Sequence, residues 1–159
     1  MSLEYITNNH FQTKKLGEFF ARFAVFKKTK GKAIIIGLEG NLGTGKTTFI
    51  QGFAKGIGIK EKVLSPTFVL LKRFQVSPKS EPIKRASFNF QEFYHIDCYR
   101  IENSKEILDL GFKEIISNPK SIVVIEWADK IKKIMPKNTI WIKIDFITET
   151  KRKIVIEKI

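Results

Sequence analysis

The sequence predicts an α/β fold in which helices pack on both sides of a mixed central sheet that ends in an antiparallel C-terminal hairpin. Three observations predict it. Apolar, β-branched runs at Ile34-Ile35-Ile36 and Ile122-Val123-Val124-Ile125 read as central strands buried on both faces. A glycine loop and a helical pattern follow directly after the first of them. Near the C-terminus, Thr139 to Phe146 broadly alternates apolar and polar residues, and Lys153 to Ile156 is short and β-branched, with Thr148-Glu149-Thr150 between them.

The elements follow in order. Thr13 to Phe26 is expected to be the first helix, with Thr13 as its N-cap and Leu16, Phe19, Phe20, Phe23 and Phe26 as an apolar stripe directed at the core. Lys28 to Lys32 is a turn into the strand Ala33 to Leu38. Beyond the glycine loop, Thr48 to Gly56 continues a helix whose inner face is Phe49, Ile50, Phe53 and Ala54, and Gly56 and Gly58 end it. Pro66 disfavours a helical Ser65, so Phe68 to Phe74 is entered extended and reads as a strand. Gln75 to Gln91, with Pro78, Pro82, Lys79, Lys84 and Arg85, reads as a basic surface loop or hairpin excursion. Phe93 to Tyr99 is the next strand. Asn103 with Glu106 resembles a helix start with a return cap, and Ile107, Leu108 and Leu110 form its expected buried face. Gly111 breaks that helix before Phe112 to Ile116. Ser121 to Trp127 is a further buried strand, and a short helix from Asp129 to Met135 stops at Pro136.

Composition narrows the function classes. At 159 residues the chain suits one domain with its own core and is short for two, so residues 1–159 are expected to form a single unit. No apolar run approaches the length that crosses a bilayer, and Met1-Ser2-Leu3-Glu4-Tyr5 lacks the basic start and apolar stretch of a secretory signal. Cys98 is the single cysteine, which excludes an internal disulfide and a thiolate metal cage. These features favour a cytoplasmic location. The formal net charge of +13 favours an acidic partner: nucleic acid, nucleotide or an acidic protein surface. The lysines are spread along the chain, and no RNP sequence, zinc finger or basic zipper is present.

Gly40, Gly45, Lys46 and Thr47 fit G-x-x-x-x-G-K-[ST], the phosphate-binding loop, in the strand–loop–helix context that the motif requires. Glycines let the backbone turn sharply and present the amides of Gly43, Thr44, Gly45, Lys46, Thr47 and Thr48 to phosphate oxygens. The following helix directs its positive N-terminal end at the same anion. Lys46 reaches for the β- and γ-phosphates, and the Thr47 hydroxyl suits Mg²⁺. The expected architecture is therefore a P-loop NTPase-like three-layer sandwich. Such a site needs an acidic element for the metal. Glu126 and Asp97, each at the end of an expected strand, both qualify; one would hold Mg²⁺ with Thr47 and the other would position the attacking water.

Four stretches occur in sequence: Gly40 to Thr48, Ser65-Pro66-Thr67-Phe68, His95-Ile96-Asp97-Cys98-Tyr99-Arg100 and Ile125-Glu126-Trp127. Together they resemble the bacterial TsaE (YjeE) family, and the start Thr13-x-x-Leu16-Gly17 is similar to that family too. The resemblance implies a small P-loop ATPase that binds ATP and Mg²⁺. It also implies work with the TsaD and TsaB proteins in the threonylcarbamoyladenosine modification of tRNA beside the anticodon. It assigns Lys46 to the phosphates, Thr47 and Glu126 to the metal, and Asp97 and Trp127 to positions that the family needs for activity. Thr67 falls in a switch-like loop where its hydroxyl would sense the γ-phosphate, and Thr13 and Asp129 match positions near the nucleotide more loosely.

Two departures stand out. Asn41 occupies a loop position where aspartate is common in the family, and the Gln75 to Gln91 connection is longer than usual. There is no clear arginine finger, which predicts slow turnover alone and stimulation by partners. Two alternatives share some of these features. A nucleoside or nucleotide kinase would need an acceptor pocket and an arginine-bearing lid, and a nucleotide-carrying RNA-binding module would show no turnover.

Overall fold

The most apolar runs of the chain become the centre of a seven-stranded sheet, ordered β1-β7-β6-β2-β5-β4-β3. The structure, a computed structural model, describes residues 1–27, 30–65, 70–86 and 89–157. Its strands are β1 (Ser2–Thr7), β2 (Ile34–Glu39), β3 (Leu71–Gln75), β4 (Glu92–Asp97), β5 (Ser121–Glu126), β6 (Ile140–Phe146) and β7 (Arg152–Glu157). The helices are α1 (His10–Phe26), α2 (Lys46–Gly56), α3 (Lys105–Leu108) and α4 (Phe112–Ser117), with 3₁₀ segments at Ile83–Arg85 and Ala128–Ile134. β2, β5, β4 and β6 run parallel to their neighbours in the middle of the sheet. β3, β7 and β1 add antiparallel pairings toward the two edges. β5 is buried along its whole length, as its unbroken Ile-Val-Val-Ile run requires.

Apolar cores lie on both faces of the sheet, which makes three layers. On one face Ile34, Ile36 and Leu38 pack with Phe20, Phe49, Ile50 and Phe53 of α1 and α2. On the other, Ile35, Ile96 and Ile125 pack with Ile107, Phe112 and Ile131. Among the described residues no helix is long and apolar enough to cross a membrane.

Several sequence expectations change. β1 was not foreseen; it extends the hairpin by pairing Ser2 to Thr7 with Glu157 to Arg152. α1 starts at His10, and its cap is Asn9, whose side chain accepts from the Gln12 amide at 3.0 Å. Thr13 is therefore not a cap but a buried residue of the first turns. The aromatic stripe is also corrected. Phe20 is buried, but Phe19, Phe23 and Phe26 are 64%, 49% and 47% exposed, and the buried face is Thr13, Gly17, Phe20, Ala21, Ala24 and Val25. The reason is how closely α1 approaches α2. A Cβ at Gly17 would lie 2.1 Å from the Phe49 carbonyl oxygen, and one at Gly52 would lie 1.8 Å from that of Lys14. Large side chains do not fit that contact. Leu110, expected to be buried, is 46% exposed. The segment from Gln75 to Gln91 sends Val76, Ile83 and Phe90 into the core, and Ser80 Oγ donates to the Ile57 carbonyl at 3.1 Å.

Candidate functional site

β2 delivers the chain to the carboxyl edge of the sheet, and the loop from Gly40 to Gly45 turns it back into α2. Gly40 has φ 146° and touches the next strand: a Cβ there would lie 2.3 Å from the Ile144 carbonyl oxygen. Gly45, at φ 100°, is the left-handed residue that swings the backbone into α2, so the N-terminus of α2 opens on the loop. Thr44 is buried and closes the turn, its hydroxyl donating to the Asn41 carbonyl at 2.9 Å. Arg152 of β7 braces the loop from behind, with Nε donating to the Thr44 carbonyl at 2.9 Å while its guanidinium lies 4.4 Å from the Phe146 ring centroid.

The loop faces a cleft of about 430 Å³ lined by Gly43, Gly45, Lys46, Thr47, Thr48, Asp97, Glu126 and Trp127, together with Leu42, Ser65, Leu70, Tyr99 and Arg100. Residues far apart in sequence meet here because β2, β5 and β4 are parallel neighbours and end at the same edge. Lys46 is buried. Its ammonium donates to the Gly40 and Asn41 carbonyls at 2.6 and 2.9 Å and lies 4.1 Å from the centroid of the Trp127 ring. Burial lowers its pKa below the ordinary lysine value, against the opposing pull of Glu126, Asp97 and Asp129. Trp127 takes a left-handed backbone, φ 56°, at the end of β5, a strain of about 1–3 kcal/mol for a residue with a Cβ. Its ring also meets Tyr99, centroids 5.1 Å apart.

The two carboxylates sit side by side, Asp97 opposite Glu126 in the β4–β5 register, but in different surroundings. Glu126 is 3% exposed. Its Oε1 and Oε2 accept from the Thr47 hydroxyl at 2.9 and 3.1 Å, and Oε1 also lies 2.8 Å from His95 Nε2. Asp97 is half-buried; its Oδ2 accepts from Ser65 Oγ at 2.6 Å and its Oδ1 from the Tyr99 amide at 2.9 Å. Thr47 and Glu126 thus bring a hydroxyl and a carboxylate together at the start of α2. This donor set fits Mg²⁺, which takes few protein oxygens and completes its shell from phosphate and water.

Of the remaining sequence candidates, Thr13 lies behind the loop. Its methyl is 3.7 Å from the position of a Cβ on Gly45, while its hydroxyl is tied to that of Thr7 at 2.8 Å and does not line the cleft. Asp129 is exposed at the start of a 3₁₀ segment, outside the cleft lining. Thr67 lies outside the described residues. Sequence reasoning assigned no role to His95 or Arg152. A histidine inside Phe93-Tyr94-His95-Ile96 breaks an apolar strand and was a readable signal, whereas the partner of Arg152 is 108 residues away and leaves none.

Comparison with known proteins matches nearly the whole chain. The family model described as "Threonylcarbamoyl adenosine biosynthesis protein TsaE" matches residues 7–154. The chain is 34% identical over 154 residues to the tRNA threonylcarbamoyladenosine biosynthesis protein TsaE of Bacillus subtilis (strain 168), covering 96% of this chain and 83% of that protein. With the protein of the same name from Haemophilus influenzae it shares 31% identity over 150 residues, 94% of this chain and 86% of that one. The crystal structure of YdiB from Bacillus subtilis superimposes with a TM-score of 0.68 at 27% identity, covering 98% of this chain and 84% of that chain.

Proposed function

The chain belongs to the TsaE family of threonylcarbamoyladenosine biosynthesis, and on that premise we propose that it is a Mg²⁺-dependent ATPase. It would act with the TsaD and TsaB proteins to support modification of tRNA beside the anticodon. The observation that carries the enzymatic part is the meeting of Thr47 and Glu126 beneath a phosphate loop whose lysine already lies in the cleft.

Each residue has a task that follows from its position. The amides from Gly43 to Thr48, at the start of α2, bind the phosphate chain. Lys46 exchanges its bonds to the Gly40 and Asn41 carbonyls for phosphate oxygens, which offer a full negative charge in place of two dipoles. Thr47 and Glu126 would hold Mg²⁺, which when bound would supply positive charge against the negative charge of the phosphates. Asp97, held by Ser65 and the Tyr99 amide, orients the attacking water at the neighbouring strand end. Trp127 offers a flat ring beside the nucleotide and covers Lys46 from solvent.

The test is ATP hydrolysis by the protein alone and with TsaD and TsaB. Slow turnover alone and a clear rise with the partners is the expected result, and equal rates in both conditions overturn partner activation. Lys46→Ala is expected to fold and to lose about 100-fold or more in nucleotide affinity, in keeping with the loss of a charge-assisted contact of about 3 kcal/mol. Calorimetry checks it. Label passing from ATP to a small acceptor would instead identify a kinase.

A further inference from the structure

We propose that His95 is a positioning residue that holds the Glu126 carboxylate in the orientation its metal-holding task requires. The inference rests on the reading of Thr47 and Glu126 as the Mg²⁺ site and adds a residue that does not touch the ligand.

His95 sits mid-strand in β4 and is fully buried, with Tyr94 and Ile96 on either side and Val124 opposite it in register. A hydrocarbon side chain would suit that place without penalty, whereas an imidazole there loses its water and needs a partner. It has one: Nε2 donates to Glu126 Oε1 at 2.8 Å, and Nδ1 meets no hydrogen-bonding group among the described residues. All of the ring's polar contact therefore falls on a single carboxylate oxygen. The ring ends the network; it does not pass it on.

Glu126 is thus gripped from two elements, by Thr47 of α2 and by His95 of β4. The two grips differ in kind. The Thr47 hydroxyl faces the cleft and is itself a ligand, so its bond to Glu126 is exchanged when its oxygen turns to a cation. His95 lies outside the cleft lining and keeps its bond throughout. Glu126 then stays aimed at the start of α2 whether or not Thr47 holds it. Partners of this kind commonly govern metal affinity as strongly as some direct ligands do.

The test titrates Mg²⁺ by calorimetry into the whole protein carrying a non-hydrolysable ATP analogue, and separately measures binding of the analogue without metal. His95→Leu is expected to weaken Mg²⁺ binding about 10–100-fold. Metal-free analogue binding, which reports an intact loop and fold, is expected to be unchanged. His95→Gln, whose amide nitrogen reaches the Nε2 position, restores Mg²⁺ affinity. His95→Asn, whose shorter amide ends near the Nδ1 position, does not. Wild-type Mg²⁺ affinity in the Leu and Asn variants overturns the proposal, as does a parallel fall of metal-dependent and metal-free binding. A wild-type protein whose analogue binding ignores Mg²⁺ removes the metal site itself, and His95's task with it; that result is distinguishable because it needs no variant.

Discussion

The inner face of α1 sets the small residues Gly17, Ala21 and Ala24 beside a single aromatic residue, Phe20, while the outer face carries three, Phe19, Phe23 and Phe26. The usual expectation puts the aromatic residues inside. Here the small residues let α1 come close enough to α2 that carbonyl oxygens take the places of side chains, as at Gly17 and Gly52. The aromatic contribution to that layer comes mainly from α2 and the sheet, with Phe20 reaching Phe49 and Phe53 at centroid distances of 6.0 and 6.2 Å. The lesson concerns the site as much as the fold. α2 begins at Lys46, so whatever fixes α2 also fixes the amides that face the cleft. Closeness of backbone, more than bulk of side chain, sets that position.

Substitutions in the α1–α2 contact and on the outer face of α1 should therefore behave differently. The largest effect is expected inside. Phe53→Ala empties a fully buried ring site and should cost about 3–5 kcal/mol in urea unfolding. Gly52→Ala tests closeness directly. Its single methyl meets the Lys14 carbonyl, and a loss of about 1–3 kcal/mol, toward the upper end because backbone cannot rotate aside, is expected by the same measurement. A neutral Gly52→Ala would break the comparison.

Titration sharpens it on the opposite face of the sheet. Cys98 is fully buried, and burial first, with the nearby Asp97 adding, pushes its thiol up to about 12. The folded state thus keeps a proton that the unfolded chain releases above the ordinary thiol value. Stability is then present below that value and is lost as pH rises toward 12, at a limiting slope of about 1.4 kcal/mol per pH unit. Cys98→Ala should flatten this decline. The difference in urea midpoints between wild type and Cys98→Ala from pH 8 to 10 isolates the thiol, because Lys46, whose value burial lowers and whose trend has the opposite sign, is common to both proteins, and the Tyr94 hydroxyl, also pushed up to about 12 by burial, starts from a value of 10.0. The smallest effect belongs to the outer face of α1. Phe19→Gln should change stability by no more than about 0.5 kcal/mol, and a larger loss would mean that the exposed ring supports the fold after all.

What the sequence showed plainly was whatever depended on neighbours along the chain. The β-branched runs of β2 and β5, the glycine loop and the C-terminal hairpin each carry their own periodicity or turn residues. That Lys46, Thr47 and Glu126 would meet at one cleft was readable for the same reason: each sits at a strand or helix end that its own segment announces. β1 was not, because five of its six residues are exposed and it becomes a strand only by pairing with β7. The inner face of α1 is hard to read because aromatic residues recur at helical spacing, while the close approach of α2 that decides the matter leaves Gly17, Gly52 and Gly56 as its traces. The different surroundings of Asp97 and Glu126 rest on contacts between segments far apart in sequence. Thr47 and His95 reach Glu126, and Ser65 reaches Asp97.

The Lys46 ammonium resting on the Trp127 ring has an optical consequence. Indole emission responds to a charge held 4.1 Å from the ring centre, so departure of that charge would be visible as a change in intensity without any attached dye. Trp141, the second indole, provides the control: light that changes in Trp141→Phe and stays constant in Trp127→Phe would give a stopped-flow clock for the moment the loop takes up its guest.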